Sequence, residues 1–316
     1  MPTTIVTFNL CNLGAEASPA RLARLGAIIA DELGGPAILA VQEISAASPA
    51  TPGQPVPATA VYQALGAASR AAGGPDYTFC EIPPRDGQDG GLAGANIRVG
   101  LLFDPQRVEF PARGQSGPED DTGIRLDGGR PRLTRNPGRI AATHPAFAGE
   151  PSHHWAPSRK ALAAEFTIAG QRLFLIVCHF KSMRALTRRE EDYAKKQRHA
   201  QAEIVHQFAA DLLACDPAAA VVLLGDLNDV LGSKTLKLLK GELFHNLLED
   251  LPRSQSYTRR HGHQPQTLDH ILISTALRPG ATVHIPHVNS DARPGGPEAV
   301  SDHDPVLATL PALANA

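Results

Sequence analysis

Apolar runs that end in acids, amides or imidazoles constrain this chain more than any other feature. In VVLLGDLND, Val221 to Asp229, a continuous apolar stretch stops at Asp226, Asn228 and Asp229. The same pattern recurs in IVTFNL with Asn9, in ILAVQEI with Glu43 and in LFLIVCHF with His179. TLDHILIS starts on Asp269, and VSDHDPVLATL carries Asp302 and His303 just before its apolar part. Runs this apolar and this short read as strands buried on both faces. Any one of the polar ends reads as a turn residue bonded to its own backbone. Six such clusters need a shared partner, because buried carboxylates and amides are costly without a compensating charge or hydrogen bond. A hard divalent cation with a phosphate over it supplies both. Oxygen donors such as Asn9, Glu43 and Asp302 suit magnesium, with manganese as the alternative, rather than zinc.

Between these runs the pattern is mixed. Ser18-Pro19 caps a helix over ARLARLGAIIADEL, with Leu22, Leu25, Ile29 and Leu33 at helical spacing and Gly34-Gly35 as its stop. Further helices are predicted over 61–72, over Glu190 to Cys215, and after Ser233 as far as Gly241. DYTFCEI, NIRVGLLFD and RVEF read as strands, RKALAAEFTIAGQRLFLIVCHF as a hairpin turning at Ala169-Gly170, and ATVHIP as a late strand. Many strands with few helices, mixing hairpins and crossovers, give an α/β (α+β) fold of two packed mixed sheets flanked by helices. No composition break marks a linker, so residues 1–316 read as one domain. Within it, about 111–158 is a long irregular loop of the kind that is usually functional.

The order Asn9, Gln42-Glu43, His179, GDLND, Asp269-His270 and SDHDP resembles the endonuclease/exonuclease/phosphatase superfamily, the DNase I-like fold. SRKALAAEF…HFKS, QRHAQAE and TLDHILIS are similar to its bacterial extracellular-type nuclease branch. The resemblance implies a four-layer α/β/β/α sandwich and a metal-dependent phosphodiesterase. It implies that Glu43 is the main metal ligand, with Asn9 and Asp302 beside it. Asp226 would orient or deprotonate the attacking water, and Asn228 would hold a phosphate oxygen. His303, kept charged by Asp269, would contact the phosphate, with His179 opposite as a second contact or proton donor. Glu81 is a candidate partner for His179, Arg159 and Asn96 would face the substrate, and Cys11 stands where many members carry an acid.

Net charge is −2, so a nucleic-acid ligand must be held by a local patch. Lys181 to Arg198 carries seven basic and three acidic residues, and it begins right after His179. Lys181 and Arg184 are expected at the substrate, with Glu190 to Arg198 a solvated helix face. The long loop adds Arg125, Arg130, Arg132, Arg135 and Arg139, then His153, His154 and Trp155 as a candidate for base stacking. The leading reading is hydrolysis of DNA or RNA backbone. The alternatives are a small phosphoester (inositol phosphate, phospholipid headgroup or nucleotide) and a catalytically dead binding module. Cys11, Cys80, Cys178 and Cys215 lack metal or disulfide spacing, and Cys178 and Cys215 read as buried free thiols suited to a reducing, cytoplasmic compartment. A secreted chain relieved of its leader would read the same. No segment is long and apolar enough to span a bilayer, and the chain is expected to be a monomer without an evident protein partner.

Overall fold

The computed structural model describes residues 2–46, 50–91, 94–140, 144–147, 155–292 and 298–313. In chain order it contains β1 (Thr3–Leu13), α1 (Pro19–Ala27), β2 (Ile38–Ile44), α2 (Thr59–Ala71), β3 (Thr78–Glu81) and β4 (Arg98–Phe103). There follow β5 (Ile124–Asp127), β6 (Arg130–Leu133), β7 (Gly138–Arg139), β8 (Leu162–Ile168), β9 (Gln171–His179) and α3 (Arg188–Cys215). The last part holds β10 (Ala220–Asp226), α4 (Lys234–Lys240), β11 (Phe244–Asn246), β12 (Arg259–His261), β13 (Gln264–Gln266), β14 (Asp269–Ser274), β15 (Thr282–His284) and β16 (Val306–Leu310).

Two six-stranded mixed sheets result, in the orders β15-β16-β1-β2-β4-β3 and β11-β14-β10-β9-β8-β7. Each has one parallel pair near its centre, β1 with β2 and β9 with β10. Side chains alternate across a strand, and three cores follow from that alternation. Ile5, Ile38, Leu175, Val222, Ile271 and Ala308 fill the space between the sheets. Val6, Phe8 and Val41 pack outward against Leu25, Ile28 and Leu65 of the α1–α2 layer. Val221, Leu223 and Ile176 pack against Val205 and Leu212 of α3. The layers therefore run helix, sheet, sheet, helix.

Local signals act as expected at several ends. The Ser18 side chain accepts from the Arg21 amide, and the Ser233 side chain caps α4. Helix α1 continues through a π turn over Ile28–Glu32. Ala169 and Gly170 both have positive φ (53° and 78°) in the two-residue turn joining β8 to β9.

Three expectations are corrected. RVEF is no strand: only Glu109 bridges Thr167. The segment 111–158 is not wholly irregular, because β5 and β6 form a hairpin and β7 joins the second sheet. Cys178 is buried, but Cys215 is exposed, since it lies at the solvent end of α3 rather than on its packed face. No helix among the described residues is long and apolar enough to cross a membrane.

Candidate active site and metal centre

The parity of the strands delivers the polar ends to one place. Ile5 and Thr7 of β1 face the space between the sheets or its rim, and Asn9 continues that face. On β9 the residues Leu173, Leu175 and Val177 lead to His179. On β10 the residues Val222 and Leu224 lead to Asp226, and on β14 Ile273 and Ile271 lead back to Asp269. Side chains two apart share a face, so Asn9, His179, Asp226 and Asp269 all point between the sheets, at the same end. The Asn9 amide accordingly donates to Asp226 Oδ2 at 3.0 Å and to Glu43 Oε1 at 3.3 Å.

Glu43 breaks the parity of its strand, because Ile38 and Ala40 face the inter-sheet core and Gln42 is next on that side. Two features re-aim it. Its φ is +58°, in the left-handed region, and the β2–β4 register shifts between Val41 and Ile44. A left-handed conformation at a non-glycine residue is costly and persists where the surroundings enforce it. Here the Asn12 amide, itself on a positive-φ residue, donates to Glu43 Oε2 at 3.1 Å. Gly225 of GDLND has a plainer reason: with φ +136°, a Cβ there would lie 1.9 Å from the Cys178 carbonyl oxygen.

The two histidines differ in charge. His303 Nδ1 lies 2.7 Å from Asp269 Oδ2, fully buried. Burial by itself would drive this ring neutral, but Asp269 outweighs it, with Asp226 and Asp302 adding, and its pKa rises to about 10. Burial pushes His179 well below the usual histidine range, and the positive Arg159 and His303 add to that. His179 is therefore neutral at pH 7. Its Nε2 faces Asp226 Oδ2 at 3.4 Å and Glu43 Oε1 at 3.8 Å, and its Nδ1 has no partner among the described residues. Glu81 does not fill that role. It is buried against Arg98 at 3.2 Å and accepts from the Ala58 amide, where an otherwise uncompensated guanidinium needs it.

Asp226 is raised above the usual carboxylate range, chiefly by burial. One of its oxygens accepts from the Asn228 amide at 2.8 Å, and Asn228 sits at φ +49° with its side chain toward the Phe180 carbonyl. Ligand atoms of Glu43, His179 and Asp226 lie within 4.8 Å of one another, as do those of Asp226, Asp269 and His303. Two carboxylates and an imidazole, with one carboxylate held in an unfavourable buried state, form a donor set that fits a divalent cation. Asp302 lines the same cleft but is outside both groups and pairs with Arg259 at 2.9 Å.

Arg159, Lys181 and Arg184 line the cleft too. Arg159 donates to the Phe180 carbonyl, and burial brings its pKa down to about 10, so it stays charged at pH 7. Asn96 is not in the cleft: it is buried, at φ +49°, with its amide on Asp86 at 2.6 Å. The arginines of the long loop do not line the cleft either, although Arg139 lines a second cavity that shares Arg159 and His179 with it. Arg132 pairs with Asp127 and Glu165, Arg135 with Asp120, and Arg139 with Asp121. The hairpin carrying Arg130 is held by Arg172, whose guanidinium bonds the Pro131 carbonyl. Arg172 is seven residues from His179 along β9, which is roughly 23 Å. Trp155 packs edge-on against Phe147, and His153 and His154 lie outside the described residues.

Two functional neighbours escaped the sequence reading. Arg198 is not on a solvated face. It is buried, faces Asp229 at 3.3 Å, and donates to the carbonyls of Lys181 and Ser182, so it ties the cleft rim to GDLND. Its spacing to Gln201 and Val205, both on the packed side of α3, is the signal that marks it as buried. Arg259, the partner of Asp302, lies in a small ribbon that strand patterning does not connect to the site.

The fold has close parallels. A humanised D. rerio TDP2 superposes with a TM-score of 0.58 at 20% identity, covering 97% of this chain and 98% of that one. D. rerio TDP2 complexed with single-strand DNA product gives 0.56 at 20%, with the same coverage. The mannosyl-6-phosphatase Bt3783 of Bacteroides thetaiotaomicron gives 0.58 at 14%, covering 97% and 98%. Comparison with curated protein sequences finds no match. The profile of the Endonuclease/Exonuclease/phosphatase family matches residues 6–303. Members of that family hydrolyse phosphoester bonds and depend on a divalent metal. With the profile spanning almost the whole length and the layered sheets superposing on its structures, the chain belongs to the Endonuclease/Exonuclease/phosphatase family.

Proposed function

We propose that this chain is a magnesium-dependent phosphodiesterase that hydrolyses the backbone of DNA or RNA. The observation that carries the reading is buried Asp226 between a charged histidine and a neutral one, in a cleft rimmed by Arg159, Lys181 and Arg184. Glu43 and Asp226, with His179, Asn9 and Asp302 about them, are the residues to hold the ion. When bound, magnesium supplies Lewis acidity at the phosphoryl oxygens.

The chain's own groups supply the rest. Asp226, raised by burial above the usual carboxylate range, is placed to accept a proton from the attacking water. His303 binds its proton too tightly to release it readily at neutral pH. It serves as a fixed cation that hydrogen-bonds a phosphoryl oxygen, with Asp269 holding the ring in place. His179 offers a neutral imidazole from the opposite side, and Asn228 positions a phosphate oxygen. Arg159 and Lys181 add donors on the rim.

The DNA product bound by D. rerio TDP2 favours a nucleic acid substrate. A small phosphoester is the second reading, favoured by the sugar phosphatase among the structural neighbours. Plasmid, single-stranded DNA, RNA and a panel of phosphomonoesters, each incubated with magnesium, separate the two. Cleavage of polymer supports the first reading, turnover of monoesters alone supports the second, and inactivity on all of them refutes both.

A further inference from the structure

A second cavity, of about 120 Å³, backs onto the catalytic cleft. On the same measure one water needs only about 10–15 Å³, so this space takes a ring rather than a trapped water. The two spaces share two wall residues, Arg159 and His179. Each is committed to the site at one end: Arg159 Nη2 bonds the Phe180 carbonyl, and His179 Nε2 faces Asp226 and Glu43. Each also keeps a buried atom without a hydrogen-bond partner among the described residues, Arg159 Nε and His179 Nδ1. Buried polar atoms of this kind call for a ligand group.

The remaining walls are of two kinds. Ile140, Trp155, Ile204 and Val205 supply apolar faces, and Phe147 holds the Trp155 ring in place with centroids 5.1 Å apart. Gln201 is engaged with the protein, since it accepts from the Lys181 amide and donates to Ser158. Gln88, the Lys160–Asp89 pair and Arg139, itself paired with Asp121, form a polar edge. Apolar faces, one aromatic wall and a polar edge match a planar heterocycle with hydrogen-bonding groups on its rim.

We propose that this cavity receives the nucleobase next to the scissile phosphate, with the phosphate itself on the cleft side of Arg159 and His179. The inference rests on the nucleic-acid reading of the cleft and gives it a base-binding subsite.

Trp155 is the sole tryptophan, so its fluorescence reports on this cavity alone. In chelator, where no turnover occurs, thymidine 5′-monophosphate should quench or shift Trp155 emission, and deoxyribose 5-phosphate should not. With magnesium, a dinucleoside monophosphate should be cleaved with kcat/KM about tenfold or more above that of the same diester lacking one base. Ile204→Trp, which fills the cavity from a half-buried position on α3, should bring that ratio to within about twofold of unity. Trp155→Ala provides a second variant with the same expectation. Diester turnover without a base preference, or an unchanged ratio in both variants, overturns the subsite while leaving the phosphodiesterase reading intact. No diester turnover, with hexose 6-phosphate hydrolysed instead, overturns both.

Discussion

Asp269→Asn isolates the charge on His303, and its effect on stability has a worked sign and size. In the folded chain the His303 pKa is about 10, against an ordinary value of 6.5. Below pH 6.5 the ring is protonated whether the chain is folded or not, so the full contribution is present there. Between 6.5 and about 10 only the folded state holds this proton, so stability falls by about 1.4 kcal/mol per pH unit. The whole difference amounts to about 5 kcal/mol. Asparagine at 269 removes the largest attraction and leaves burial to push the ring toward neutrality. The gap in stability between the native chain and the variant should therefore be widest below pH 6.5. It should narrow by about 1.4 kcal/mol per unit as pH rises toward 10. Urea midpoints at half-unit intervals, in chelator so that no cation competes, measure this directly. A gap that stays constant with pH would refute the claim that Asp269 holds a charged imidazole. Activity should carry the same signature. At pH 8 a ring of ordinary or lower pKa is charged in only a few per cent of molecules or fewer, so the variant should lose roughly 25-fold or more between pH 6 and 8 from this cause.

Asp226→Asn and His303→Ala should each lower kcat by about 10²–10⁴-fold with circular dichroism unchanged, as expected for proton transfer and preorganised charge; single-turnover assays on oligonucleotide check this. Arg198→Met should destabilise by about 1.5–3 kcal/mol, because half-buried Asp229 loses its cation while keeping Thr235. Adding Asp229→Leu should recover part of that loss, and thermal melts of the set show whether the two are coupled. Magnesium at 100 times its Kd should stabilise the native chain by about 2.7 kcal/mol, and Glu43→Gln should reduce the effect. Differential scanning calorimetry with and without the ion decides it. Cleavage of polymer should weaken as salt rises, and the slope should shrink when Lys181 is replaced by Ala, since each phosphate contact releases counterion.

Much of this was legible before any coordinates. Continuous apolar runs mark β1, β9, β10 and β14 as buried strands that end in polar residues, and the structure shows which of their residues face inward. Asn9, His179, Asp226 and Asp269 stand out as the polar ends of those runs. Caps at Ser18 and Ser233 and the Ala169-Gly170 turn are equally local, because a side chain reaches its own backbone within three residues. The resemblance in GDLND and SDHDP carried the rest of the family reading.

What the tertiary structure alone decided lies where contact partners are distant in sequence or where the backbone leaves its ideal path. Glu43 is on the wrong parity for the site, and only its left-handed φ and the β2–β4 register shift turn it inward. Glu81 looks available to His179 but is claimed by Arg98, which is itself buried and needs a carboxylate. Arg198 reads as one more cation in a basic helix until α3 packs against GDLND. Arg125, Arg130 and Arg132 read as substrate contacts until the β5–β6 hairpin carries them to the far end of the second sheet. A sequence encodes the direction of each side chain from its own strand or helix. Which charges meet, and which protonation states those meetings enforce, depends on elements brought together across two hundred residues or more.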